Sequence, residues 1–535
     1  MKKFLALLLS LVMLLSLAAC GGNNTGGTTG ENTGSGNTSG SNTGDSTDTG
    51  DTAGTGEIQP TLTIGIASDI NELDPQAQND QINNNCLALT HQTLVFLANE
   101  NNDYLPCLAE SWEWTDDTHL VFHLVQNACF SDGTPFNADD VVFTYEKAMD
   151  PDRSAVAATL GLVESVEKID DYTVQFVTSS YSNELLAVLA GYPLVILSED
   201  AYNDPSNEEP YLIGTGRYVF DEWKEGQYVR FVKNEKFWGD DPGVAEEIIF
   251  QPILEAASRV AALQSGDIDV CIDPPVNMLE TLRADDNIVV ENRDGTRLFY
   301  LGFNCEKAPF DNEKLRQAVS CAIDKQTIIE VVLQGLGKSQ KTVVNRGVWS
   351  FYDDMEGYEY DVERAKELMA EAGYEPGELS VSLYVANAAP YTTIAPMIKQ
   401  YVETALGITV NIEQFDEATL KDKCQNGEQQ MFLWRWNVID RLDEIYTELF
   451  STDYATNYHQ YSDPWVDEMC VKILTEKDRD TREQLSIEMQ EYLVEACPQV
   501  PLYVADLVIA YRKGLTGTYL FGGGNHNWSW AYVQN

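Results

Sequence analysis

The sequence predicts a mixed α/β protein with more than one lobe, and three observations carry this. Stretches of alternating apolar residues and stretches of helical periodicity are interleaved along the chain rather than segregated. At 535 residues, the chain exceeds the ~250–300 residues that one hydrophobic core organises. Its composition is that of a globular protein, 44% apolar and 10% aromatic, which supplies enough side chain to fill several cores.

The elements follow in order. A strand is expected at 61–66, ending at Leu73-Asp74-Pro75, and 95–97 reads as a helix end or a short strand. Strands at 111–114 and 120–125 flank the turn Thr115-Asp-Asp117, a hairpin pattern. Asn137-Ala-Asp-Asp140 has the residues of a helix N-terminus, with acids at the positive end, and predicts a helix through 141–149. Strands at 163–169 and 172–177 turn at Asp170-Asp171. Gly214-Thr-Gly216 leads into strands at 218–223 and 228–233, followed by an apolar strand at 248–253. A helix at 256–264 ends on Gly266 as its C-cap, and a short strand follows at 268–270. Later come strands at 299–304, 379–385 and 409–414, and helices at 312–323, 361–372 and 396–406. A long helix at 482–496 precedes a final strand from Pro501.

The N-terminus has a different character. Lys2 and Lys3, a short apolar run and small residues before Cys20 make a secretory signal over 1–19. The apolar run is shorter than the ~20 residues of a membrane span. Residues 21–57 are Gly, Asn, Thr and Ser with a few acids, and Ala53 is their only apolar side chain. Such a segment builds no core and reads as a tether with a reach of ~30–35 Å.

Charge and cysteines narrow the class further. The net charge is −51, which repels nucleic acid and anionic lipid headgroups. Of ten cysteines, one is Cys20 and no two form a CxxC pair. Most of the others, such as Cys107, Cys321 and Cys497, sit in apolar contexts and read as buried thiols. Enzyme and cofactor signatures are missing: there is no HExxH, no GxSxG elbow and no third ligand beside His119 and His123. Gly337-Lys338-Ser339 has the end of a phosphate loop, but Val332 stands where the first glycine belongs.

Several segments together resemble one family. They are Leu73-Asp74-Pro75; Leu105-Pro-Cys-Leu-Ala-Glu-Ser-Trp112; Phe130-Ser-Asp-Gly-Thr-Pro-Phe-Asn-Ala-Asp-Asp-Val-Val-Phe143; Gly214-Thr-Gly216; and Lys233-Asn-Glu-Lys-Phe-Trp-Gly239. Ala262-Leu-Gln-Ser-Gly-Asp-Ile-Asp269, Leu315-Arg-Gln-Ala-Val-Ser-Cys-Ala-Ile-Asp324 and Pro498-Gln-Val-Pro-Leu-Tyr503 continue the series. In this order they resemble the extracellular solute-binding proteins, family 5, of peptide, oligopeptide and nickel ABC transporters. Leu17-Ala18-Ala19-Cys20 likewise resembles a bacterial lipobox, which implies a lipid on Cys20 and a place outside the cell membrane.

The resemblance implies a periplasmic-binding-protein-like hinge fold of two lobes, in the large three-subdomain class. Lobe I would be 58–300 with 501–535, and lobe II 301–500. It also implies a monomer that captures oligopeptides or dipeptides and hands them to an ABC permease and its ATPase subunits, with no cofactor, no metal and no enzymatic activity. An oligosaccharide, a metal chelate or a signalling peptide are alternative ligands on the same scaffold, and a surface enzyme or adhesin is a distant one.

The family places a Trp and an Asp in a late lobe II loop, where the Asp meets the peptide's α-ammonium. The matching stretch here is Leu433-Trp434-Arg435-Trp436-Asn437-Val438-Ile439-Asp440-Arg441-Leu442-Asp443-Glu444. The Asp-x-x-Asp spacing is kept, the Trp-to-Asp spacing is one residue longer, and Glu444 replaces a Pro. Trp434, Arg435, Trp436, Asp440 and Asp443 are therefore the expected ligand-binding residues. Trp434 and Trp436 would share a strand face that either lines the cleft or packs into the core. Asp440 would meet an ammonium or cap a helix, and Arg435 would grip a carboxylate or form a salt bridge. Residues after Pro75 and the segment 297–300 near the hinge are weaker candidates. The aromatic segment 522–530 is expected to dock a last strand on lobe I.

Overall fold

A computed structural model of the chain describes residues 57–534 except 79, 98–103, 353, 438–440 and 522. The signal segment, Cys20, the tether to residue 56 and Asp440 lie outside the described residues.

Three sheets organise the fold. The first has seven strands in the order Ile288–Arg293, Leu507–Arg512, Val270–Ile272, Thr61–Ile66, Glu247–Pro252, Tyr228–Lys233 and Tyr218–Lys224. Thr61–Ile66 lies at its centre, parallel to both neighbours, and its alternation buries Leu62, Ile64 and Ile66 completely. The second sheet is a four-stranded antiparallel one of Ala109–Trp114, His119–Leu124, Thr173–Thr178 and Val163–Asp170. The third has six strands: Gly337–Lys338, Gln499–Ala505, Arg297–Phe303, Met431–Asn437, Ser380–Ala386 and Thr409–Phe415. Each sheet has its own apolar core, and a further helical core gathers around Asp443–Phe450, Pro464–Thr475 and Arg479–Ala496.

Local chemistry accounts for the element ends. The expected helix N-terminus at Asn137 proves to be a capping box on Ala138–Met149, with the Asp140 carboxylate accepting the Asn137 N–H at 2.9 Å. Gly266 takes the left-handed conformation, φ 83°, that ends Ala256–Ser265. Two starts differ from expectation. The helix expected from Pro396 begins at Tyr391 and carries Pro396 inside; burial of Tyr391, Ile394 and Ala395 holds the turn that the proline alone would break. The long helix begins at Arg479 because the Asp478 side chain accepts the Thr481 N–H. His119 pairs with Asp116 at 2.8 Å, a local contact within the hairpin.

The chain passes between the seven-stranded and six-stranded sheets twice. Residues 294–296 join Ile288–Arg293 to Arg297–Phe303, and Asp506 joins Gln499–Ala505 to Leu507–Arg512. The divisions drawn from sequence at 300/301 and 500/501 fall inside Arg297–Phe303 and Gln499–Ala505, a few residues from these crossings. The result is two lobes on a double hinge. On one side are the seven- and four-stranded sheets, with the C-terminal segment docked through Leu515–Thr516, Tyr532–Val533 and the bridge from Ile58 to Gln534. On the other are the six-stranded sheet and the helical cluster.

A second contact between the lobes lies away from the crossings. Asn183 donates from its backbone N and its Nδ2 to the Leu474 carbonyl, at 3.1 and 3.0 Å. Beside it, the buried Glu184 and Arg482 form an ion pair.

At the hinge itself, a Cβ on Gly295 would stand 2.0 Å from the Ala505 carbonyl oxygen, so the two crossing strands touch through a bare Cα. Backbone cannot yield as a side chain does. Gly295→Ala is expected to lower stability by about 1–3 kcal/mol, the range for overpacking, read as a lower urea midpoint at unchanged slope. An unchanged midpoint would show that the crossings are free to separate.

Candidate functional site

The strand Met431–Asn437 runs antiparallel to Arg297–Phe303, setting Trp434 opposite Tyr300, Arg435 opposite Phe299, Trp436 opposite Leu298 and Asn437 opposite Arg297. Alternation along it sorts the expected ligand residues. Trp434 is buried, edge-on to Tyr458 with ring centres 5.4 Å apart, and belongs to the core of the sheet. Trp436 is half-buried where that core meets the helical cluster. Arg435 donates to the Tyr391 hydroxyl at 2.8 Å and pairs with Glu417 at 3.2 Å, so its charge is already matched.

Beyond the strand, Arg441 takes both nearby acids. Its Nε donates to an Asp443 oxygen at 3.0 Å, and its NH1 meets Glu444 at 2.8 Å. Burial works against the Arg441 charge, and the carboxylates of Glu444 and Asp443 outweigh it, so the guanidinium stays protonated. Asp443 is therefore engaged within the protein.

Two cavities follow the line between the lobes. The first, about 270 Å³, is lined by Gln81, Tyr192 and Asn525 from one lobe and by Asn437, Arg441 and Glu444 from the other. The second, about 280 Å³, sits at the crossings and is lined by Asp273, Thr296, Arg297, Phe299, Asp506 and His526, among others. Gln81 and Asn437 line both. Asn437 accepts from the Thr296 hydroxyl at 2.9 Å, and the Gln81 amide donates to the Gly523 carbonyl. Burial, and then the charge of Arg293, lower the His526 pKa to about 3, so its imidazole is neutral at pH 7.

Sequence reasoning named Arg297 as a weaker candidate and missed Gln81, Asp273, Asn437 and Arg441. Residue 522 lies outside the described residues; residues 523–530 pack against the helix Gln81–Thr90, and Gly523, Gly524, Asn525 and His526 line the cavities. Gln81 starts the helix Gln81–Thr90, which buries Asn83, Asn84 and Asn85 along with Cys86, Leu87, Ala88 and Leu89. Ile82, Cys86 and Leu89 make a short apolar stripe at helical spacing, interrupted by the three asparagines. A second available signal is Asp80, an N-cap residue whose side chain accepts the Ile82 N–H.

Glu448, beside Arg441, supplies a pH test of this cluster. Burial raises its pKa from 4.5 to about 7, with Arg441 pulling down and Asp443 pushing up. Between those values the folded chain holds a proton that the unfolded chain has lost, so this group favours folding at low pH and opposes it above pH 7. Glu448→Gln is expected to raise the urea midpoint at pH 8, the gain fading as pH falls through 7 to 4.5. A pH-independent effect would contradict the burial argument.

Comparison with known proteins agrees with this architecture. Residues 103–458 match the model for the middle region of bacterial extracellular solute-binding proteins, family 5. The chain is 31% identical over 379 residues to heme-binding protein A of Haemophilus influenzae, covering 65% of this chain and 68% of that one. It is 27% identical over 466 residues to the dipeptide-binding protein of Escherichia coli, covering 81% and 86%. The solved structure of HbpA2 from Haemophilus parasuis superposes with a TM-score of 0.82 at 26% identity, over 89% of this chain and all of that one. The chain belongs to the bacterial extracellular solute-binding proteins of family 5.

Proposed function

We propose that this chain is the ligand-capturing subunit of an ABC importer, closing its two lobes on short peptides outside the cell and presenting them to a membrane permease and its ATPase subunits. The observation that carries the reading is the pair of polar cavities at the lobe boundary, lined from both sides by charged groups and amide side chains. A ligand there makes contacts to both lobes only when they are closed, which is how a binding protein couples occupancy to shape. Peptides suit such a site because their backbone offers alternating donors and acceptors, with water completing the contacts around variable side chains. The likeness to the dipeptide-binding protein of E. coli supports the same reading. It describes a monomeric binding protein rather than an enzyme.

One specific observation favours a second ligand: the relative at 31% identity is named a heme-binding protein, and heme is a metal chelate. His526 is an imidazole at the cavity wall, but its Nδ1 already accepts the Phe521 N–H at 3.2 Å. The purified protein, mixed with an equimolar dipeptide panel and with hemin in separate native mass spectra, is expected to retain dipeptides. A Soret band that persists through gel filtration, with no retained peptide, would overturn the peptide reading in favour of heme.

Anchoring is the second part of the proposal. A thioether lipid on Cys20 with further acylation buries ~0.8 kcal/mol per methylene, and two or more chains hold a protein at the membrane where one does not. The Gly-rich segment after it then lets the folded part reach the permease. Among the described residues no helix is long and apolar enough to cross a membrane. Cys20→Ser is expected to move the protein from the membrane pellet to the soluble fraction. Retention in the pellet would rule out the lipid as the anchor.

A further inference from the structure

A third cavity lies wholly within lobe I, where the helix Gln81–Thr90, the paired strands Val95–Leu97 and Tyr104–Pro106, and the C-terminal segment meet. It measures about 340 Å³, larger than either cavity at the lobe boundary, and five of its lining residues carry large rings: Phe96, Phe237, Trp238, Tyr519 and Trp530. It shares only Tyr192 with the first boundary cavity and no residue with the second. The six-stranded sheet contributes nothing to its wall, so hinge motion does not open or close it.

Polar contacts within the wall fix the rings. The Arg217 guanidinium lies over the Trp530 ring, 4.0 Å from its centre, and over Phe237 at 4.8 Å. Arg217 Nε donates to the Asp241 carbonyl at 2.8 Å, and Trp530 Nε1 donates to the Asp241 carboxylate. Trp238 Nε1 donates to Gln92 Oε1 at 2.9 Å. Phe96 stands edge-on to both Tyr519 and Trp530, with ring centres 6.2 Å apart in each pair. The two indole N–H groups are thus spent inside the wall, and what it offers an occupant is ring surface. Rings already held in place lose little freedom when a partner packs on them.

Size and charge define the occupant. A dry apolar cavity of ~150 Å³ holds one benzene, so this one has room for two fused rings. Burial lowers the His91 pKa to about 4 and raises the Cys107 thiol to about 11, which leaves both neutral at pH 7. Arg217 is matched by Asp241 at 3.8 Å. Asp240 and Asp241 are exposed, and on a chain of net charge −51 they disfavour an anion. Leu105 and Tyr519, 51% and 42% exposed, give the mouth an apolar edge. We propose that this cavity is a second ligand site, which takes a neutral, flat aromatic molecule of two fused rings by stacking and apolar contact, independently of the ligand held between the lobes.

The test is a fluorescence titration of the purified full chain with 1-aminonaphthalene, which is neutral at pH 7 and emits further to the blue in apolar surroundings. Naphthalene-1-sulfonate serves as its anionic counterpart. The amine is expected to saturate at one molecule per chain, with the sulfonate at least ~tenfold weaker. Leu105→Asp puts a charge at the exposed mouth, and Ala88→Leu fills space from the helix; each is expected to weaken the amine ~tenfold or more. A saturating dipeptide is expected to leave the titration unchanged. Displacement of the amine by dipeptide would place it between the lobes and overturn the proposal. So would the absence of saturable binding, or binding within twofold of wild type in both variants, and tighter binding of the sulfonate would overturn the neutral class. Failure of the chain to retain any dipeptide would overturn the peptide reading and leave this site standing.

Discussion

The contact between Gly295 and the Ala505 carbonyl is the constraint on which the rest of the molecule turns. Two chain crossings carry every covalent link between the seven-stranded and six-stranded sheets, and here they lie against each other with no side chain between them. Residues on either side inherit positions from that contact. Thr296 and Arg297 enter the six-stranded sheet opposite Asn437, and Ala505 and Asp506 leave it toward the strand that pairs with Ile288–Arg293 and Val270–Ile272. The second cavity forms beside these segments, its wall shared between the crossings and the C-terminal residues Gly523, Gly524 and His526.

Charge is distributed to the same end. An acidic chain of net −51 keeps its cations where they do specific work. Arg259 gathers three carbonyls, Arg435 joins the sheet to Glu417, Arg441 pairs with two acids beside the first cavity, and Arg482 meets Glu184 across the lobes. A buried pair such as Glu184 and Arg482 adds little net stability, because desolvation offsets attraction, but separating it leaves buried charge exposed to no partner. Such a contact favours one closed arrangement over slightly displaced ones, a specificity role rather than a stabilising one.

Much of the fold was legible in the sequence because its signals are local. Asn137 with Asp140, Gly266 and the alternation of Thr61–Ile66 each act within a few residues, and the structure uses them as expected. The ordered run of family segments extended that reading to the architecture. What was not legible depends on distant partners. Gln81–Thr90 buries asparagines because the His526 N–H and the Ser529 hydroxyl arrive from the C-terminal segment to meet Asn85 and the Ala88 carbonyl. Arg435 is occupied because Tyr391 and Glu417 lie beside it in space, and nothing in the run Trp434-Arg435-Trp436 announces either. Pattern placed the two tryptophans on one face; only the core around Tyr458 decides that Trp434 faces inward.

Small-angle X-ray scattering of the purified protein, with and without a saturating dipeptide, measures the hinge most directly. Closure of two lobes about the crossings predicts a smaller radius of gyration and a narrower distance distribution when ligand is bound. Identical scattering curves at proven saturation would contradict a hinge that closes on its ligand.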